Sequence, residues 1–180
     1  MAQKQSYCQY ALNQPPDDVD RRYHDTQYGF PLTSDDELFG RFILEIFQAG
    51  LSWRLILQRQ ENFRVAFSGF SIEAIARYDQ EQVARLLADA GIIRNRRKIE
   101  AVIYNAQQVA QLQAQYGSFK QWLDAHHPRA LVDWLKRFKQ NFKFTGPEIT
   151  KEFLMSTGYL PGAHDEDCPV YQYLKEAARG

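Results

Sequence analysis

An acidic residue, Glu45, stands within an apolar stretch that predicts a helix over residues 35–49. At about 100° per residue, Glu45 falls on the same helix face as Leu38, Phe42 and Ala49. Burying an ionised carboxylate without partners costs several kcal/mol. The side chain must therefore either accept hydrogen bonds from buried donors, fastening neighbouring backbone, or face a ligand pocket, and both possibilities remain open.

A tight turn follows this acid over residues 48–52 and leads into Trp53. An indole ring beside a buried anion forms a site for a flat ring that is cationic or donates hydrogen bonds. Packing of Trp53 in the core is the alternative. Aromatic residues make up 14% of the chain, which fits either a dense aromatic core or a cleft lined by flat faces.

Four residues near the two ends of the chain are potential metal ligands: Cys8, His24, His164 and Cys168. Two thiolates and two imidazoles make a closed tetrahedral zinc set, which is structural because no position remains for water. The spacing of His164 and Cys168 allows both side chains to reach one ion, whereas Cys8 and His24 lie much further apart in sequence. Two unrelated thiols and two surface histidines are the alternative.

The composition excludes several classes of protein. With 180 residues, 44% of them hydrophobic, the chain is long enough for one core or two small lobes. Lysine plus arginine and aspartate plus glutamate each number 22, so bulk positive charge does not drive nucleic-acid binding. The sequence has neither an apolar run of membrane-spanning length nor a secretion signal, which predicts a cytoplasmic protein that does not enter membranes.

Basic charge is nevertheless concentrated locally. Residues 129–151 carry six basic and two acidic side chains, and four basic residues lie between Arg94 and Lys98. These clusters indicate either a surface that faces a polyanion or ordinary solvated helix ends. The neutral total favours a monomer.

The hydrophobic periodicity predicts an all-α fold. Capping residues and glycine stops place the helices, and only residues 141–145 alternate like a short strand. The predicted helices cover residues 35–49, 52–67, 71–77, 79–91, 95–115, 119–125 and 129–139, and one runs from Pro147 to Gly158.

Several motifs together resemble the TAG-type 3-methyladenine DNA glycosylases, the DNA-3-methyladenine glycosylase I family. The resemblance covers most of the chain, and its most specific part is the block that begins at Leu44. The matching segments are Tyr23-His24-Asp25, Tyr28-Gly29-Phe30-Pro31, Leu44-Glu45-x-Phe47-Gln48-Ala49-Gly50-Leu51-Ser52-Trp53, residues 90–94, 97–99 and 105–106, Phe142-Lys143-Phe144-x-Gly146 and His164-x3-Cys168.

The resemblance implies a fold: a helix-hairpin-helix DNA glycosylase in which a structural zinc site joins the termini. Residues 1–180 would form a single glycosylase-like unit, with two helical lobes possible and the hairpin near 141–146. The implied zinc ligands are Cys8, His24, His164 and Cys168. The implied contacts to DNA phosphates, which a helix N-terminus and lysines can make without reading sequence, are Lys143, Gly146, Lys139 and Lys151.

The resemblance also implies an activity: a monofunctional enzyme of base excision repair that flips 3-methyladenine out of alkylated double-stranded DNA and hydrolyses its N-glycosidic bond. Glu45 would be the catalytic acidic residue, chiefly recognising the base, and whether it also activates water is open. The base-binding rings would be Tyr23, Trp53, Tyr10 and Tyr28. The alternatives are a zinc-stabilised helical DNA-binding protein with lost or altered excision and a glycosylase for another lesion.

Four positions depart from the family pattern. Tyr10 and Tyr28 stand where tryptophan is common, Ile46 replaces a glycine, and Asp20 replaces an aromatic residue. We expect these changes to cluster at the pocket and to affect the lesion range. After the Pro147 helix the next acid is Asp165, so no acid follows that helix directly.

Overall fold

The computed structural model describes residues 5–179, which form twelve α-helices and no β-strand. The predicted all-α fold is therefore confirmed over this part of the chain. The helices are α1 (Tyr7–Leu12), α2 (Val19–Thr26), α3 (Asp35–Gln48), α4 (Trp53–Gln58), α5 (Gln60–Ala66), α6 (Ile72–Ala76), α7 (Gln80–Ala88), α8 (Arg96–Tyr116), α9 (Phe119–His126), α10 (Leu131–Asn141), α11 (Pro147–Ser156) and α12 (Pro169–Ala177).

Helix α3 lies at the centre of the molecule. The Ser34 hydroxyl accepts a hydrogen bond from the Glu37 amide at its start, and every residue from 38 to 47 is buried. The helix ends at Gln48 because the chain then turns through Gly50, whose φ of +81° favours glycine. The prediction of a buried helix over 35–49 is confirmed to within one residue.

Some predicted boundaries were wrong. The helix predicted over 52–67 is two helices, α4 and α5, which meet at Arg59, where φ is −107° and ψ is 6°. Residues 141–145 form no strand, because α10 continues to Asn141 and Phe144 takes a positive φ of 60°. Three helices near the termini, α1, α2 and α12, have no counterpart among the predicted elements, since each is short and held by tertiary contacts.

Lys98 does not belong to the exposed basic cluster that the sequence indicates. It is 5% exposed, and its Nζ donates to the carbonyl oxygens of Phe47 and Ala49 at 2.8 and 2.7 Å. Burial lowers the pKa of Lys98. Because carbonyl groups at a helix C-terminus lack partners within the helix, this ammonium fixes the end of α3 beside the turn that follows Glu45.

The predicted hairpin is present between α10 and α11. The buried side chain of Asn105, on α8, accepts from the Lys143 amide at 2.8 Å and donates to the Lys143 carbonyl at 2.9 Å. Phe142 packs against Phe42 of α3, with 5.3 Å between ring centroids. The turn is thus held from both sides while residues 143 and 146 remain exposed. Among the described residues, no helix is long and apolar enough to cross a membrane.

Candidate active site

A cavity of about 730 Å³ opens between the end of α3 and the start of α11. This volume falls within the usual range for sites that bind small organic groups. Its wall combines carboxylates, aromatic rings and the backbone of two turns, and the lining residues are Tyr7, Tyr23, Tyr28, Glu45, Gln48, Ala49, Gly50, Trp53, Gly146, Pro147, Glu148, Ile149 and Glu152.

Glu45 faces this cavity while being only 4% exposed. Burial raises the pKa of its carboxyl to about 8, the negative charge of Glu152 adds to the rise, and the Arg41 guanidinium opposes it. None of these influences is a hydrogen bond from a residue within 5–179. Of the two possibilities for this acid, the structure therefore shows the one that faces a pocket, rather than a carboxylate that fastens backbone.

Four aromatic side chains surround the acid. The Tyr23 ring lies 5.1 Å from the Trp53 ring and 5.6 Å from the Tyr28 ring, measured between centroids. Tyr7, on α1, packs edge-on against Tyr28 at 5.5 Å. Trp53 is only partly buried, so its face is available to a ligand as well as to the core. The sequence did not predict Tyr7 as a cavity residue, because no helical pattern indicated that α1 packs against α2.

Arg41 fixes Tyr23 from behind. Its guanidinium carbon lies 5.2 Å from the centre of the Tyr23 ring, and its Nη1 donates to the Ser156 carbonyl at 3.1 Å and to the Tyr23 hydroxyl at 3.4 Å. Arg41 is itself buried. The ring that stands beside Glu45 is thus held in place by a cation that also partly offsets the negative charge of the cavity.

A second acidic residue of the cavity, Glu152, was also not predicted from the sequence. It lies on α11, its Oε2 accepts a hydrogen bond from the Tyr28 hydroxyl at 3.2 Å, and it lines the cavity. Burial raises the pKa of Glu152, and the bond from Tyr28 lowers it. The sequence shows that no acid follows α11 directly, but the relevant acid lies within the helix. Its position facing the cavity depends on how α11 packs against α3 and α10.

The four predicted metal ligands meet in a buried cluster. The sulfur atoms of Cys8 and Cys168 and the nitrogens His24 Nε2 and His164 Nδ1 all lie within 4.8 Å of one another. The nitrogens are 3.2 Å apart, and the sulfur-to-nitrogen distances include 3.5 Å for Cys8–His164, 3.5 Å for Cys168–His24 and 3.8 Å for Cys168–His164. Ligands of one tetrahedral zinc ion would be separated by roughly 3.3–3.8 Å, so these donors fit such an ion.

The remaining histidine nitrogens are oriented by further hydrogen bonds. His24 Nδ1 donates to Asp25 Oδ1 at 2.7 Å, and His164 Nε2 donates to the Tyr28 carbonyl at 2.6 Å. These bonds leave the other ring nitrogen of each histidine directed at the cluster. Gly29 allows the close approach, because a Cβ there would lie 3.3 Å from the His164 ring, and its φ is +80°. The cluster is thus bonded to the backbone of a cavity residue.

The predicted phosphate contacts lie on the hairpin beside the cavity. Lys139 and Lys143 are exposed, Lys151 is partly buried, and Gly146 forms both the N-cap of α11 and part of the cavity rim. The Lys143 Nζ lies 4.1 Å from the centre of the Tyr104 ring. The structure therefore places these four residues on the hairpin and its two helices, and Gly146 is the one among them that lines the cavity.

The geometry agrees with comparisons to known proteins. The family model described as "Methyladenine glycosylase" matches residues 13–137. The chain is 35% identical to DNA-3-methyladenine glycosylase 1 of Escherichia coli (strain K12), with 83% of this chain and 89% of that protein aligned. This chain belongs to the methyladenine glycosylase family.

Solved structures support the same relationship for this methyladenine glycosylase. A variant of 3-methyladenine DNA glycosylase I in complex with 3-methyladenine superposes with a TM-score of 0.82 at 30% identity, covering 93% of this chain and 98% of that one. The enzyme from Staphylococcus aureus, solved to explain 3-methyladenine recognition, gives a TM-score of 0.81 at 31% identity, with 92% and 96% covered.

The departures from the family pattern have different structural settings. Tyr28 lines the cavity, but Tyr10 is not among the lining residues, and its hydroxyl contacts Asp20 at 3.5 Å. Asp20 is buried and paired with Arg54 at 2.7 Å. Ile46 is fully buried in the main core. The expectation that all four changes cluster at the pocket was therefore wrong, because α3 turns position 46 away from Glu45.

Asp20, which stands where the resemblance implies an aromatic residue, contacts a ring of the cavity wall. Tyr7 lines the cavity, and its hydroxyl donates to Asp20 Oδ1 at 3.2 Å. Asp20 thus holds a ring that comes from another helix.

Proposed function

We propose that this protein excises 3-methyladenine from alkylated double-stranded DNA by flipping the base and hydrolysing its N-glycosidic bond. The observation that carries the proposal is that the buried Glu45 carboxyl group lines an aromatic cavity, which Gly146 of the hairpin also lines. The relatives named DNA-3-methyladenine glycosylase support it. A DNA substrate also agrees with the cytoplasmic location expected from the sequence.

The proposed substrate matches the cavity in shape and charge. A 3-methyladenine residue in DNA carries a delocalised positive charge, which the faces of Tyr23 and Trp53 can contact and Glu45 can balance. Unstacking the nucleotide costs a few kcal/mol, and these contacts supply favourable free energy in return. Tyr28 completes the wall on the other side. Tyr10 has no place in this arrangement, so the proposal uses the other three predicted rings.

The alkylated base needs little help to leave. Its positive charge weakens the glycosidic bond, and the departing base becomes neutral without receiving a proton from the protein. Glu45 contributes to catalysis to the extent that its interaction is stronger in the transition state than with the bound substrate, by holding the base while positive charge develops on the sugar. A cation in the cavity favours the ionised form of Glu45 and so lowers its pKa from the raised value.

The hairpin would hold the DNA while the base is flipped. Gly146 exposes the first amides of α11, which can bind a phosphate regardless of sequence, and Lys143, Lys139 and Lys151 add positive charge around it. Since this surface borders the opening of the cavity, one protein molecule can bind the backbone and the extruded base together. We therefore propose a monomer acting on duplex DNA.

The buried cluster of Cys8, His24, His164 and Cys168 would hold a structural Zn²⁺. With four protein ligands the ion has no position for water, so its contribution would be to stabilise the fold and not to activate a nucleophile. Through the bond from His164 to the Tyr28 backbone, the cluster would also position a wall of the cavity.

An excision assay tests the function. Duplex DNA treated with a methylating agent is incubated with excess protein, and the released bases are separated by chromatography. We expect release of 3-methyladenine by the natural protein and a loss of at least about 100-fold in single-turnover rate for Glu45→Gln, the range in which one positioned electrostatic group acts. Glu61→Gln, which changes an exposed glutamate, is the matched control.

The outcomes separate the candidate functions. Release of a different methylated base would assign another lesion, and binding of DNA without any release would indicate the zinc-stabilised DNA-binding protein. Full single-turnover excision by Glu45→Gln with normal binding would show that this carboxylate is structural.

A further inference from the structure

The cavity contains more negative charge than Glu45 alone provides. Glu148 and Glu152, one turn apart on α11, also line it. Glu148 is exposed, whereas Glu152 is partly buried and accepts a hydrogen bond from the Tyr28 hydroxyl at 3.2 Å. Since Tyr28 is only 7% exposed, Glu152 is fixed against a rigid part of the wall. One of its oxygens accepts from Tyr28, and the other has no hydrogen-bond partner among residues 5–179.

The arrangement of Glu45 and Glu152 points to a positively charged ligand. Glu45 is 4% exposed, has no hydrogen-bond donor within the described part of the chain and faces the same cavity from another helix. Both carboxyl groups line the same cavity, and the negative charge of Glu152 adds to the rise in the Glu45 pKa. Arg41, which lies against the Tyr23 ring and does not line this cavity, opposes the rise. A cation in the cavity would stabilise the ionised forms of both acids.

We infer that Glu152 is a second base-recognition carboxylate, which acts with Glu45 to select positively charged alkylated purines over neutral ones. This inference rests on the proposed glycosylase function. A neutral adenine in the cavity can form hydrogen bonds and stack, but it offers no positive charge to stabilise the ionised forms of Glu45 and Glu152, whose pKa values burial raises. An alkylated adenine carries the compensating charge within its ring. Discrimination between damaged and normal bases is therefore built into two helices, α3 and α11.

The test uses Glu152→Gln, which removes the charge but keeps the size and an oxygen that can accept from Tyr28. The probes are 3,9-dimethyladeninium, which carries a permanent positive charge, and neutral 9-methyladenine, and Trp53 fluorescence or calorimetry reports binding. We expect the variant to bind the cation about tenfold more weakly and the neutral purine about equally well, because only the charge interaction is lost.

Glu148→Gln is the matched control, since it removes an equal charge from the same helix at an exposed position. We expect it to weaken cation binding by less than about threefold, because solvent screens an exposed charge. Equal losses in the two variants would show a diffuse charge effect and would overturn the assignment to Glu152. Unchanged cation binding in Glu152→Gln would overturn it as well.

Base excision by the natural protein is measured in parallel, so that the two hypotheses fail separately. If the natural protein releases 3-methyladenine but Glu152→Gln binds both purines normally, the inference is wrong and the function stands. If no base is released but the cation preference is lost in Glu152→Gln, the function is wrong and the charge selection by Glu152 stands.

Discussion

At the scale of single residues, Glu45 shows a conflict between stability and recognition. A carboxyl in this position is easiest to bury in its neutral form, which is why burial and Glu152 raise its pKa to about 8. Binding of a cationic base favours the ionised form instead. Ionisation of Glu45 therefore destabilises the free folded protein. The proposed substrate supplies the positive charge that would stabilise the ionised carboxylate.

The stability of the protein should depend on pH through this residue. Because the folded-state pKa of Glu45 lies above its ordinary value of 4.5, the folded state binds an extra proton between these values. The resulting stability is fully present below the unfolded pKa and is lost as the pH rises through about 8. Glu45→Gln stays neutral, so we expect its free energy of unfolding to exceed that of the natural protein increasingly between pH 5 and 8.

Urea unfolding at several pH values measures this difference, which we expect to grow by up to about 1.4 kcal/mol per pH unit. Glu61→Gln, an exposed change, should run parallel to the natural protein. If the free energy of unfolding of Glu45→Gln differed from that of the natural protein by the same amount at every pH, this result would contradict a raised Glu45 pKa.

At the scale of elements, short polar contacts from α8 hold both functional segments. Lys98 fixes the C-terminus of α3 and the turn beside Glu45, and Asn105 fixes the hairpin through the Lys143 backbone. These two residues lie two turns apart on one helix. Helix α8 thus links the turn beside the cavity to the hairpin that we propose binds DNA, and a flipped nucleotide would have to span the distance between them.

Removing a charge from the hairpin should weaken DNA binding without affecting base selection. We expect Lys143→Ala to lower the affinity for damaged and undamaged duplexes by the same factor and to reduce the slope of log affinity against log salt by about 0.9. Fluorescence anisotropy over a salt series measures both. Lys175→Ala, on α12 and remote from the hairpin, is the control, and a loss confined to damaged DNA would contradict the phosphate-contact role.

At the scale of the whole molecule, segments near both ends of the described chain meet next to one wall of the cavity. The cluster of Cys8, His24, His164 and Cys168 joins α1, α2 and the segment before α12. Tyr23 precedes a ligand directly in sequence, and Tyr28 is bonded to another through its carbonyl. The cluster and the shape of the cavity are therefore coupled, although none of the four cluster residues lines the cavity.

Removal of the metal should unfold the helices near the two termini more readily than the central helices. We expect about one zinc per chain by elemental analysis, and a chelator should lower the melting temperature and expose α1, α2 and α12 to protease while α3 and α8 stay protected. Readdition of Zn²⁺, but not of Mg²⁺, should restore the protection, because thiolate and imidazole ligands favour zinc. A zinc content well below one ion per chain, or an unchanged melting temperature after chelation, would contradict a structural metal.

Much of the fold and part of the site follow from the sequence alone. The all-α class and the buried helix that carries Glu45 were predictable because apolar periodicity, caps and glycine stops act over a few residues, whereas the hairpin was implied by the family resemblance. The apolar face around Glu45 already indicated an unusual carboxylate. Residue types indicated the possible metal set, and the resemblance favoured it over unrelated thiols and histidines, because Cys8 and His164 lie 156 positions apart and spacing alone could not bring them together.

Only the tertiary structure decided which side chains share the cavity. Tyr7 and Glu152 lie on helices whose orientation depends on packing between distant segments, and no local pattern distinguishes them from surface residues. The same physics buried Lys98 at the end of α3 and turned Ile46 into the core. A helix sequence fixes which residues share a face, but the neighbour that covers that face is chosen by the whole chain, and so the composition of the site was fixed by packing.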